Sequence, residues 1–315
     1  MDKLSAMQTF AAVVKSGSFT GAASALGLPK ARVSQRVADL EQHLGVRLLQ
    51  RTTRALSLTE DGQAYLTTCV IILQDIDELE GSIRGGIVEP KGKLRVEALV
   101  SVARWILAPR LHDFQERYPK ISVRLGASDR LSHLLEDGLD CAIRGGHLEA
   151  SGQIARHVCD VSLGLYASPS YINKSGMPRQ PAELNRHHLL SWFSNTGNPF
   201  AWQIISDDLS HQVESSYGLS FDDPDVAIAS CVAGAGICPG APFAVESWLN
   251  QGLLVPVLPK WAFAPRPVHI IYPSKKHLPA RVRCFVEWAL DIMKADGVVS
   301  LTPSELAERC RLEHD

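Results

Sequence analysis

One short stretch concentrates side chains that can hydrogen-bond to nucleic-acid bases and phosphates. Lys30, Arg32, Ser34, Gln35 and Arg36 sit on the outward face of a helical segment, beside the small Ala31. Long donors next to small residues can enter a major groove and meet base edges. Ser18 and Thr20 add hydroxyls at the start of the preceding helix. Arg51, Thr52, Thr53 and Arg54 form a basic, hydroxylated run suited to phosphates or a minor groove. A second, smaller set lies far along the chain. Ser101 ends a strand and opens a helix, where a hydroxyl and backbone N–H groups can hold an anion. Arg144 ends another strand beside Gly145-Gly146 and can pair a carboxylate.

No catalytic constellation accompanies them. Gly234-x-Gly236-x-x-x-Gly240 resembles a dinucleotide loop, but it follows a helical segment and is one residue too long. There is no G-x-S-x-G, H-E-x-x-H or Walker loop. His187-His188 stands in a polar stretch and reads as surface. The expectation is therefore no enzyme, no cofactor and no metal.

The 315 residues suggest about two domains. Hydrophobic residues make up 45% and charged residues 21%, as in a soluble globular chain that needs no staples. Seven cysteines without a C-x-x-C read as reduced core residues. No apolar run approaches the ~20 residues of a membrane span. Phe10–Val14 is too short for a signal peptide and is closed by Lys15, so the expected compartment is the cytoplasm. Charge is unevenly spread. Residues 1–59 carry eight basic and three acidic side chains, net +5; the rest carries twenty-four and thirty-one, net −7. A basic head on an acidic body is expected where one module faces phosphate.

The head must position the first set. Leu4, Met7, Phe10, Ala11 and Val14 recur at helical spacing. Ser18 can cap a short second helix with Phe19, Ala22, Ala23 and Leu26 inward. Gly27 makes the turn into a third helix anchored by Val33, Val37, Leu40 and Leu44. Counted from Phe19, Ala, Gly and Val fall at positions five, nine and fifteen, as two helices crossing near a right angle require. Leu48–Thr59 reads as a hairpin wing.

Gly17-Ser18-Phe19-Thr20-x-Ala22-Ala23, Leu40-Glu41-x-x-Leu44-Gly45-Val46-Arg47-Leu48-Leu49-x-Arg51-Thr52-Thr53-Arg54 and Leu58-Thr59-Glu60-x-Gly62 resemble the winged helix-turn-helix signature of LysR-type transcriptional regulators. Pro29 and Ala31 depart from the family's usual Ser and Pro. The resemblance implies a winged helix-turn-helix head joined by a long linker helix to an α/β two-lobed body resembling type 2 periplasmic binding proteins. It implies a head at 1–59, a linker/dimerisation helix and hinge at 60–90, and an effector-binding body at 91–297. Lobe one would be 91–163 plus 267–295, lobe two 164–266, and 298–315 an extension.

The linker segment supports that reading. Leu66, Cys69, Leu73, Ile76 and Ile83 keep a/d heptad spacing on a helix ~37 Å long. Its partner is either its own body or a second copy, and the resemblance favours a homodimer or homotetramer. Beyond it, strand and helix patterns alternate, which predicts largely parallel sheets. The resemblance adds Trp192 and Phe193 as an aromatic wall of a ligand cleft, and Gly236 close beside it. Asp222 and Asp223 either bond a polar ligand or cap the helix near Asp225. Thr302-Pro303-Ser304-Glu305 is a capping box opening a short helix, read as an exposed appendage. The expected partners are promoter DNA with inverted half-sites and a small-molecule effector, a carboxylate. The competing expectation is a small-molecule binding protein or enzyme with structural N-terminal helices.

Overall fold

The computed structural model describes residues 1–51, 56–83, 89–130, 134, 138–146, 153–193, 201–213, 218–273 and 278–312. They form two compact units, 1–89 and 90–315.

The first unit opens with α1 (Lys3–Ser16), α2 (Phe19–Leu26) and α3 (Lys30–Leu44). Ser18 accepts from the Gly21 N–H at 2.9 Å, the cap its hydroxyl was expected to make. Gly27 closes α2 with φ at 62°, a conformation that costs other residues a Cβ clash. Phe10, Val13, Ala22, Val33, Val37 and Leu40 are fully buried at the centre. The antiparallel wing, β1 (Leu49–Arg51) and β2 (Leu56–Leu58), is pinned to α3. Glu41 accepts from the Leu48 and Leu49 N–H groups at 2.8 and 3.0 Å. Next, α4 (Glu60–Ile83) starts where Thr59 accepts from Gly62 N–H at 2.9 Å and donates to the Arg47 carbonyl at 2.7 Å. Gly62 is required there, because a Cβ would lie 2.0 Å from the Leu48 oxygen.

The second unit runs β3 (Gly92–Ala98), α5 (Val100–Val102), α6 (Leu111–Arg117), β4 (Ile121–Ala127), β5 (Cys141–Gly145) and β6 (Gln153–Val161). It continues with β7 (Gly164–Ala167), α7 (Pro169–Ser175), β8 (Leu190–Trp192), β9 (Gln203–Ser206), β10 (Leu209–Gln212) and β11 (Leu219–Phe221). Then come α8 (Pro224–Val232), β12 (Cys238–Gly240), α9 (Pro242–Asn250), β13 (Val255–Val257), β14 (Ala262–Phe263), β15 (Arg266–Pro273), α10 (Ala280–Ala295) and α11 (Pro303–Leu312). A π-helical turn, Ala103–Leu107, prolongs α5.

One sheet has the order β4-β3-β5-β15-β6. Its core of Leu94, Val96, Ile143 and Phe114 takes Phe285 and Trp288 from α10, with Phe114 5.6 and 5.2 Å from their rings. The other lobe holds β12-β7-β13, β11-β8 and β10-β9-β14. The chain crosses between the lobes after β6 and after β14, and Phe263 N–H donates to the Leu163 carbonyl at 3.0 Å where the crossings run together. The sheets are mixed, contrary to the largely parallel arrangement expected: β3 pairs β4 and β5 in parallel, while β15 runs antiparallel to β5 and β6. Between β6 and β7 the chain leaves one sheet for the other at 162–163.

Candidate nucleic-acid interface and effector cleft

In the head, Lys30, Arg32 and Gln35 are exposed on α3 and Ser34 is half-buried. Gln35 donates to Asp39 one turn on at 2.8 Å, which holds its amide along the helix surface. Thr20 is exposed on α2, and Ser18 is spent largely on its cap. Arg36 departs from the expected role. Its guanidinium turns inward to the Thr9 hydroxyl on α1 at 3.4 Å and helps dock α3 on α1. Arg51 lies in β1, and its side chain, with Thr52, Thr53 and Arg54, is outside the described residues.

The first half of the expected dimer stripe is likewise consumed within the head. Cys69 is buried and its thiol points to the Met7 carbonyl at 3.6 Å, while Leu66 packs on the head core and Tyr65 meets Phe10 edge-on at 5.8 Å. The reason is that α4 must first cover α1. Farther along, Leu73 and Ile76 are half-buried and Ile72 is 41% exposed. The Ile83 side chain lies outside the described residues.

In the body, a cleft of about 1080 Å³ opens between the lobes. One wall carries Leu99–Val102, Asp129 and Arg130; the other carries Trp192, Phe193, Asp222, Asp223 and Phe243; Arg266 sits at a crossover. Ser101 faces it as expected, but its hydroxyl donates to Asp225 at 2.9 Å. Trp105 Nε1 donates to the same carboxylate at 3.2 Å, and Arg104 stands 3.8 Å away. Asp225 thus joins α5 and its π-helical turn to α8 across the lobes. Asp129 accepts from the Val100 N–H at 3.0 Å, so the N-terminus of α5 already holds a carboxylate. Asp223 both lines the cleft and caps α8, accepting from Asp225 N–H at 2.8 Å. Burial raises the Asp129 and Asp225 carboxyls above their ordinary value, Asp223 adding to both.

Two expected cleft residues are elsewhere. Arg144 is buried and ion-paired with Glu97 on the neighbouring strand, donating also to the Ile143 carbonyl at 3.3 Å. Gly236 is a packing residue: a Cβ there would lie 2.3 Å from the His188 oxygen, beside the bridge between Leu189 and Ile237. The sequence reading missed Asp129, Arg130, Asp225 and Arg266. Asp225 had a usable signal: it follows Pro224 in a first helical turn already capped by Asp223, so it was spare for another partner. All seven cysteines are buried free thiols. Cys231 donates to the Tyr166 and Gly236 carbonyls at 3.3 and 3.2 Å, and its hydrogen bond to Cys238, with burial, holds the Cys238 thiol well above its ordinary value. Among the described residues no group of three His, Cys, Asp or Glu could hold a metal ion, and no helix is long and apolar enough to cross a membrane.

A three-helix head with a wing and a cleft-bearing two-lobed body are the parts of a ligand-responsive DNA-binding regulator. The chain belongs to the LysR family: residues 4–63 match the bacterial regulatory helix-turn-helix protein model of that family, and residues 88–294 match the LysR substrate binding domain. It is 59% identical over 308 residues to the HTH-type transcriptional repressor PA14_22550 of Pseudomonas aeruginosa, covering 98% of this chain and 97% of the relative. Among solved structures it is similar to CrgA of Neisseria meningitidis, with a TM-score of 0.56 and 32% identity over 92% of this chain and 98% of that one. It is also similar to the full-length virulence activator AphB of Vibrio cholerae, with a TM-score of 0.58 and 28% identity over 92% and 99%. The chain is therefore a transcription regulator and not an enzyme. LysR regulators bind promoter DNA and small-molecule effectors and form oligomers.

Proposed function

We propose that α3 reads promoter DNA through Lys30, Arg32, Ser34 and Gln35, while Thr20 and the wing residues Arg51, Thr52, Thr53 and Arg54 engage the backbone. The exposed polar face of α3 on a rigid three-helix core carries this reading. The head spans 1–59, the linker helix and hinge 60–90, and the effector body 91–297. Two copies pair through the second half of α4, centred on Leu73 and Ile76 with Ile72 beside them, and two-fold pairing matches inverted half-sites. The regulator works in the cytoplasm, where its promoter DNA is.

The effector enters the cleft between the lobes. Ser101 and Arg144, the residues expected to hold a carboxylate, are both engaged by the protein's own carboxylates, Asp225 and Glu97. The remaining wall suits a small polar molecule that stacks on Trp192 and Phe193 and turns hydrogen-bond donors toward Asp129, Asp222 and Asp223. An acidic group on it would meet Arg130 or Arg266.

Alanine substitution at Ser34 or Gln35 should relax base preference, each lost contact costing ~1–3 kcal/mol for the preferred site only. Arg54→Ala should weaken all sequences alike and lower the salt slope by about one. Competition titrations with randomised half-sites check both. Unchanged base preference in both α3 variants contradicts the recognition-helix assignment.

A further inference from the structure

The segment after α10 was expected to hang from the surface. Instead it is built into both lobes. Asp296 accepts from Arg110, which follows the π-helical turn of lobe one, at 2.7 Å. The other oxygen of Asp296 accepts from the Val298 and Val299 N–H groups at 3.0 and 3.2 Å, folding the chain into a tight turn. The two valines then part company. Val299 is buried in the lobe-one core with Phe285 and Trp288, and Val298 in the lobe-two cluster with Tyr166 and Leu249. The capping box forms as written, Thr302 N–H donating to Glu305 at 2.7 Å, and starts α11 on lobe two. Leu306 and Cys310 complete that cluster, Arg309 pairs with Glu246 of α9 at 3.2 Å, and the Ser304 hydroxyl donates to the Pro259 carbonyl at 3.1 Å. Pro303 packs so closely on the lobe crossover that a Cβ at Gly164 would sit 2.8 Å from it.

This tie bears on the cleft directly. Its lobe-one anchor, Arg110, also donates to the Ile106 carbonyl at 3.1 Å, in the helical turn that carries Trp105 to Asp225. Its lobe-two seat, α9, carries Phe243 on the cleft wall. The segment lies past residue 294, where the match to the substrate-binding domain ends.

We propose that residues 296–312 are a tie between the lobes, a positioning element that limits how far the two cleft walls separate. The proposal rests on reading the cleft as the effector site. A cap that merely covers lobe two would need neither the Arg110–Asp296 pair nor Val299 in the other core. An effector must then select among lobe arrangements that the tie permits, so the tie sets part of the differential affinity on which a response depends.

Hydrogen exchange of the full-length protein, read by mass spectrometry, tests this without DNA or effector. Arg110→Ala removes the lobe-one anchor together with the Arg110 bond to the Ile106 carbonyl, and leaves α11 docked. It should raise exchange in 222–232 of lobe two, across the cleft from the substitution, roughly threefold, as expected for a partly exposed ion pair. Arg110→Lys should restore most of the protection. A chain ending at Ala295 should show a larger rise on both walls; should it not fold, Arg110→Ala decides alone. Exchange confined to the neighbourhood of Arg110, or unchanged everywhere, overturns the tie. Either result leaves the DNA titrations untouched, and failure of those would leave this measurement untouched.

Discussion

A chain carrying Leu73→Glu and Ile76→Glu is expected to be a monomer by light scattering, with specific promoter affinity reduced by about two to four orders of magnitude. The loss follows from converting a paired, two-site engagement into single contacts by each head. Two carboxylates from each copy would meet across the seam, and residues 60–83 include no Lys or Arg to compensate a desolvated charge. The head itself should stay folded, because Leu66 and Cys69, which hold α4 on α1, are unchanged. Its thermal unfolding checks this point. A double variant that remains a dimer at micromolar concentration contradicts the seam.

Arg144→Ala is expected to destabilise the body by about 3 kcal/mol, because it removes the buried guanidinium that pairs with the Glu97 carboxylate, itself only 19% exposed. For a unit of this size that corresponds to roughly 10 °C in Tm. Glu97→Gln combined with Arg144→Met should recover much of the loss, since it removes both charges of the buried pair together. Effector binding per folded molecule should survive in Arg144→Ala. Unaltered stability together with lost ligand binding would return Arg144 to the cleft.

These two cases mark where the sequence was legible. The head was readable because its local signals name their partners: Ser18 stands where its hydroxyl caps α2, Gly27 where the chain must turn, and Val33, Val37 and Leu40 at the spacing of an inward face. The heptad on α4 was readable as a stripe but not as a destination. Periodicity says which residues share a face, and Leu66 and Cys69 share it with Leu73 while covering a different neighbour. Arg144 was placed correctly at a strand end, yet position along a strand does not say where a guanidinium points. Sheet register does: Glu97 pairs with Ala142, so Arg144 lies diagonally on the same face, within reach. That pairing is set by a non-local strand order, which no local pattern encodes. The β9–β10 hairpin was missed for a local reason, its turn resting on Asp207 at φ 48° instead of a glycine. In α11, Leu306 and Cys310 share one helix side, but the core they complete belongs, Val298 and Leu301 apart, to residues more than fifty positions earlier.

The most direct measurement is a titration of the full-length protein against its own upstream DNA and a scrambled duplex, repeated across salt concentrations. The prediction is a sequence-selective complex with a two-fold footprint and an affinity that falls steeply and linearly in log salt as phosphate contacts release counterions. Absence of any complex at low salt, or equal affinity for both duplexes at every salt concentration, would contradict it.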